Sequence, residues 1–311
     1  MFCFLLFFFL IGLSIDYLYL NAFTARGPSV PIATVIALGL SATLAYTGYH
    51  QGSKLILSSV GAEPLDIQIP EHRELHNVVT EMALASGCRM PKVYVTYDPA
   101  PNAFATGRDQ ESAVICVTTG LLTLLGREET QGVVAHEMAH IKNNDTLVML
   151  LISVLLGGVV LLSDWAQRSI FGARPLRRPS GQALLAIPAL LLIVISPLIS
   201  RLMATAVSRQ REYLADATAV EFTRNPRGLA MALEKIRDAG IPFQKATRGT
   251  AHLFFINPLR RRLDGSDGKL ADLLSSHPPI NRRIMLLYQM GALPRSVAQF
   301  GVEAIDAQGA R

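Results

Sequence analysis

Residues 136–140 read His-Glu-Met-Ala-His. On an α-helix, positions i and i+4 share a face, so the imidazoles of His136 and His140 can converge on one ion. Glu137 then lies beside that ion, where its carboxylate can take a proton from a water that the metal has acidified. The bland alternative is a helix carrying two surface histidines. The setting favours chemistry: Arg127, Glu128 and Glu129 open a helix, and GVVA packs it just ahead of the motif. Two imidazoles leave a catalytic site one protein ligand short.

A third His six residues after His140, with a Gly three after it, would complete a metzincin site. Thr146 and Asn143 stand there instead, so that class is excluded. The gluzincin solution uses a Glu on a separate helix. The segment 208–216 reads SRQREYLAD, and Glu212 and Asp216 again share a helical face. Glu212 can ligate the metal while Asp216 accepts the N–H of a ligating imidazole and fixes its tautomer. An ordinary acidic helix face is the competing reading. The position of the segment, just where the chain leaves a long hydrophobic stretch, favours the ligand.

The elements that must position these residues sit in an unusually apolar chain. Of 311 residues half are hydrophobic and 17% charged, where soluble domains carry about 25% charged. The apolar residues come in blocks, as a bilayer requires. Four stretches could span: one from Phe2, interrupted at Asp16; 27–49, uncharged throughout; one between Asp145 and Asp164; and one between Arg178 and Arg201, where Pro188 and Pro197 would kink it. A cleaved signal peptide is the rival reading for the first, but no Lys or Arg precedes it. The expected division is 1–53 for two N-terminal transmembrane helices and 54–145 for the first half of a catalytic domain. A hydrophobic hairpin over 146–203 follows, and 204–311 supplies the second half with the third ligand. Two crossings separate the halves, so both lie on one side and can combine. The first half reads as a helix from His72, short strands such as KVYVTY and SAVICVTT, and the HEMAH helix; the second reads mostly helical.

Four motifs together resemble a known family. HEMAH, REYLAD (211–216), SHPPINRR (276–283) and NAFATG (102–107) are similar in order and spacing to the HtpX family of membrane-bound zinc metalloproteases. That family shares its HExxH…ExxxD logic with CAAX-prenyl proteases. The likeness runs from the first hydrophobic stretch to about residue 287, apart from an N-terminus without basic residues and an individual loop around Arg177. It implies a fold that is mainly α with a small β-sheet, a multi-span membrane protein carrying a zincin-like (gluzincin) domain. It further implies one Zn2+ per chain held by His136, His140 and Glu212, with Glu137 as catalytic base. Asp216 matches the second acidic position, and His277 and Arg283 match a His and an Arg near the site. The implied substrates are polypeptides, in particular misfolded proteins of the inner or plasma membrane, cut in quality control under stress by a domain facing the cytoplasm.

His277, Arg283 and Tyr213 are the candidate donors to the oxyanion of such a reaction. Equally, His277 could be a loop histidine before the Pro278-Pro279 turn, and Arg283 the ion-pair partner that a buried Asp216 needs. Substrate is expected to lie extended along an edge strand, for which AVICVT (113–118) is the choice. His72 and His76 repeat the i, i+4 spacing with no acidic helix to match, and read as a solvated helix face. The Leu263-Asp264-Gly265 turn is a weak match to the aspartate ligand of intramembrane proteases. His50 and His252 have no partner evident in the sequence.

Cys3, Cys88 and Cys116 form no CxxC pair, so neither a disulfide framework nor a thiolate metal site is expected. The net charge of +5 lacks any basic run interleaved with aromatics, which gives nucleic-acid binding no support. Contact with anionic lipid accounts for the basic balance. Arg168, Arg174, Arg177 and Arg178 crowd the loop between the third and fourth stretches, which by the positive-inside rule puts the catalytic domain outside. Lys54, Lys142, Arg201, Arg209 and Arg211 oppose that reading. The cytoplasmic orientation is the one adopted. Two rival functions stand beside the protease: a CAAX-type processing enzyme, and a silent membrane scaffold, for which Glu137 would be superfluous.

Overall fold

The computed structural model describes residues 2–18, 30–155, 157, 209–241, 243, 253–256 and 278–292. The fourth hydrophobic stretch, His252, the Leu263-Asp264-Gly265 turn and His277 lie outside the described residues.

Two helices lead the chain, α1 (Phe2–Leu18) and α2 (Ile32–Ser59). Asp16 is not a break in the first of them. It is fully buried, and its carboxylate accepts the Ala33 amide at 3.0 Å, the Thr34 amide at 2.8 Å and the Thr34 hydroxyl at 2.6 Å. Pro31, the N-cap residue of α2, makes no side-chain capping bond. Asp16 therefore caps α2 from the neighbouring helix, satisfying amides that a helix N-terminus leaves open. Among the described residues α2 is the one helix long and apolar enough to cross a bilayer. α1 has 17 residues, and the third stretch is described as a helix over Asp145–Leu155. The expectation of four spans is thus supported at α2 alone.

After α2 come β1 (Ala62–Pro64), α3 (Pro70–Ser86), β2 (Lys92–Thr96), β3 (Ala103–Thr106), β4 (Val114–Thr118), the short α4 (Thr119–Leu124) and α5 (Arg127–Lys142). The third-stretch helix is α6 (Asp145–Leu155). Beyond it stand α7 (Arg209–Thr223), α8 (Pro226–Ala239) and α9 (Ile280–Ala292). Local chemistry sets several ends. α3 opens on Pro70 and stops at Gly87, whose φ of 70° is the left-handed cap. α8 opens with Asn225 accepting the Gly228 amide, ahead of Pro226.

The four strands form one sheet in the order β1-β2-β4-β3, with β2 and β4 parallel and the outer pairs antiparallel. This corrects the expected substrate strand: residues 114–118 are the interior strand β4, and the edge beside it is β3. The residues of β4 are buried on both faces, because a core packs on each side of the sheet. Alternate side chains serve two cores, by the two-residue period of a strand. Ile115, Val117, Ala103 and Ala105 join the core under α3, α5 and α8. Val114, Cys116 and Phe104 join a second core with Ile56 and Leu57 of α2, Val60 just after it, and Met149 and Leu150 of α6. The sheet thus parts α3, α5 and α8 from the long apolar helix. Gly132 brings α5 against α8: a Cβ there would stand 2.8 Å from the Leu229 nitrogen, too close for any side chain.

Candidate active site

α5 carries the HEMAH residues in a helix buried almost throughout, from Glu129 to Ile141. Its start is fixed by Glu129, which accepts the Gly126 amide at 2.8 Å and the Lys235 ammonium at 2.7 Å. α7 lies across α5 and contributes Glu212 and Asp216; α9 contributes Arg283. Each of these five polar site residues, His136, His140, Glu212, Asp216 and Arg283, is at most 4% exposed.

His136 Nε2 and His140 Nε2 stand 3.2 Å apart. Glu212 brings Oε2 to 3.8 Å from the first and Oε1 to 3.6 Å from the second. A tetrahedral ion bound at 2.0–2.1 Å needs ligand atoms roughly 3.3 Å apart. The three donors therefore fit a small divalent metal, and among the described residues they are the one His/Cys/Asp/Glu group close enough to hold an ion. The charge balance agrees. Glu137, Glu212, Asp216 and Asp145 are buried carboxylates facing the Arg283 guanidinium and the partly exposed Arg211. Buried charge without compensation is costly, and a dication brings this cluster to neutrality.

Each imidazole also meets a carboxylate through its other nitrogen. His136 Nδ1 lies 3.0 Å from Asp216 Oδ1. Asp216 in turn takes two parallel hydrogen bonds from Arg283, from Nη2 at 2.7 Å and Nε at 2.8 Å. Arg283 Nη1 also stands 3.6 Å from Glu212 and donates to the Phe255 carbonyl at 3.5 Å. The Phe255 ring meets His136 edge-on, with centroids 4.9 Å apart, and Arg283 stacks over it. His140 Nδ1 lies 3.2 Å from Asp145 Oδ2. With both Nδ1 atoms held by carboxylates, both Nε2 lone pairs point at the same place, as ligation requires.

Burial sets the protonation states. It pulls the His136 imidazole down to about 4, although the Asp216 hydrogen bond opposes it, so this ring is neutral at physiological pH. Burial pulls on His140 too, but the Asp145 hydrogen bond and the charge of Glu212 outweigh it and leave that ring above its ordinary value. Burial pushes Glu137 up to about 7, with Glu212 reinforcing the shift, while His140 and a hydrogen bond from the Ala105 amide oppose it. A carboxyl poised near neutrality suits proton transfer. Burial would raise Asp216 as well, yet Arg283 and His136 hold it below the usual carboxylate range.

The structure therefore brings together His136, Glu137, His140, Glu212, Asp216 and Arg283. Tyr213 sits apart from the Glu212 face, half-buried with Arg282 over its ring at 5.9 Å. Sequence reading missed Asp145, which served there only as the boundary of a hydrophobic stretch. Its signal was available: an acid opening an otherwise uncharged run, five residues after the candidate ligand His140. Phe255 was also missed, since an apolar residue in a loop carries no mark of what it lies against.

Comparison with known proteins places these residues in a wider set. Residues 70–290 match the model of peptidase family M48. The chain is similar to the protease HtpX homolog of Caldanaerobacter subterraneus subsp. tengcongensis, 46% identical over 78% of this chain and 79% of that one. A protease HtpX homolog of Pyrococcus abyssi is 41% identical over 80% of this chain and 84% of its own length. Among solved structures, that of S. mikatae Ste24p shares the fold with a TM-score of 0.52 at 19% identity. The match covers 90% of this chain, which spans 63% of the Ste24p chain.

Proposed function

The chain belongs to peptidase family M48 as an HtpX-like protease, and from that premise we propose that it is a zinc-dependent endopeptidase anchored in a membrane. The observation that carries the proposal is the convergence of His136 Nε2, His140 Nε2 and the Glu212 carboxylate in one buried pocket, with Glu137 on the next position of α5. These three residues would hold one zinc per chain. Two imidazoles and a carboxylate suit zinc among the available divalent metals. Bound there, zinc supplies Lewis acidity, lowering the pKa of water toward about 7 and polarising the scissile carbonyl.

The residues of the chain do the rest. Glu137 takes the proton of the attacking water and passes it to the leaving amine. Asp216 accepts the His136 Nδ1 proton, which keeps Nε2 free to ligate, and Arg283 holds Asp216 in place from both of its oxygens. That pair of hydrogen bonds commits Arg283 to positioning and leaves His277 as the first candidate donor to the oxyanion, on its place in the SHPPINRR motif. Ala103 and Ala105 keep the sheet edge close to α5, so β3 is the strand a substrate would extend. The edge is partly taken already, because the Phe255 amide donates to the Ala103 carbonyl at 2.8 Å.

Anchoring rests on α2, with α1 packed against it. The substrates proposed are misfolded or damaged membrane polypeptides, and the domain is proposed to face the cytoplasm. The test is cleavage of casein and of the chain itself by detergent-purified protein, with zinc, with chelator, and beside Glu137→Ala. Zinc-dependent cleavage that the variant lacks is expected. Equal cleavage by the variant would exclude the mechanism.

A further inference from the structure

The two ligating imidazoles are served alike. His136 meets Asp216, and Asp216 meets Arg283; His140 meets Asp145, and Asp145 Oδ1 lies 3.9 Å from Arg211 Nε. We propose that Asp145 is the positioning residue of His140, accepting its Nδ1 proton so that Nε2 is presented to the metal. The proposal rests on the metal-centre reading above and deepens it.

The path of the chain explains how the acid arrives there. α5 ends at Lys142, and Asn144 takes a φ of 58°. Asn tolerates this left-handed turn better than most side chains, and it lets a new helix start immediately. Asp145 is the first residue of that helix, α6, and the turn returns it over the last turn of α5, where it is 7% exposed. The carboxylate thus touches His140 of α5 and approaches α7 through Arg211, the residue before the ligand Glu212. One side chain ties together the helices that hold all three ligands.

α6 is itself held in place. A Cβ on Gly48 would stand 2.8 Å from Val154, and one on Gly52 would stand 2.7 Å from Leu150. Two glycines four residues apart let the Val154 and Leu150 side chains of α6 seat directly against the α2 backbone. The brace on His140 is therefore fixed to α2. Without the acceptor, His140 has two tautomers, and one of them turns an N–H toward the metal. Losing an outer partner of this kind costs about 10- to 100-fold in metal affinity.

The experiment measures zinc and cobalt affinity of the full-length, detergent-purified chain by competition with a chromophoric chelator. It compares wild type, Asp145→Ala, Asp145→Asn and Glu129→Gln. Glu129 is a buried acid on the same helix as His140 whose side chain, among the described residues, bonds to Gly126 and Lys235 at the helix start, so it controls for damage to the fold. Asp145→Ala is expected to weaken binding about 10- to 100-fold. Asp145→Asn, which keeps an acceptor oxygen, is expected to recover part of that loss. Glu129→Gln is expected to lower the melting temperature and leave affinity unchanged. Affinity of Asp145→Ala within twofold of wild type would overturn the proposal, as would equal losses in the Ala and Asn variants or in Asp145→Ala and Glu129→Gln. Wild type that binds no zinc would overturn the metal-centre reading itself, and Asp145's role with it.

Discussion

α3 and α5 carry the same pattern, a histidine pair at i and i+4, in very different surroundings. In α5 both rings are buried, both Nδ1 atoms face carboxylates, and Glu212 closes the triangle. In α3, His72 is buried too, but its Nδ1 accepts the Asp66 amide at 3.4 Å. Its partner His76 lines a shallow surface groove with Leu65, Met90 and Tyr94. No carboxylate turns either ring, and no third donor joins them among the described residues. Helical spacing brings two imidazoles to one face; the acids outside that face decide whether they can bind a metal. The expectation of a solvated face on α3 holds for His76 and not for His72.

The comparison can be broken most sharply at the ligands. Glu212→Ala or His140→Ala is expected to abolish zinc retention and all cleavage, while His72→Ala with His76→Ala retains one zinc, as read by metal analysis of the purified chains. Glu137→Gln should keep the metal and lower kcat/KM by about 10²- to 10⁴-fold, the usual contribution of a general base. Asp216→Asn leaves the buried Arg283 short of its charge partner, so it is expected to cost roughly 3 kcal/mol in chemical denaturation and to weaken zinc binding as well.

Acidification probes the same site without a mutation. In the proposed mechanism Glu137 works ionised, so activity is expected to fall as pH drops through its pKa. That value is pushed up to about 7 by burial, and a nearby dication moves it lower. The acid limb of kcat/KM is therefore expected below pH 7, and Glu137→Gln should lose it; His136, at about 4, contributes nothing at neutrality. The smallest effect belongs to α3: His72→Ala is expected to cost about 1 kcal/mol through its lost hydrogen bond, with cleavage unchanged.

What the sequence made legible was local. HEMAH and REYLAD each place two side chains on one helical face, and that relation survives whatever the rest of the fold does. The partnership of Arg283 with Asp216 was one of two options and needed coordinates to choose between them. Strand order was not legible, because a run such as VICVT is equally apolar at an edge and at the centre of a sheet. Asp16 and Asp145 were read as punctuation in hydrophobic stretches. Each is in fact an acceptor for donors on another element, 17 and 18 residues away for Asp16 and five for Asp145. A charge that interrupts an apolar run has to find its partner elsewhere, and the run does not say where.

α2 passes from its apolar half into the second core without a break. Its 28 residues make a rod of about 42 Å, against roughly 30 Å of bilayer hydrocarbon. Its last turns are built into the domain through Ile56 and Leu57, followed by Val60. No flexible tether lies between them, so a membrane-embedded α2 would carry the catalytic pocket at a fixed height and heading, sweeping a thin shell above the lipid. Chains in the same plane would then meet the pocket at high effective concentration, and chains free in solution only by chance collision. Selectivity would arise from where the pocket is held before any side-chain preference comes into play.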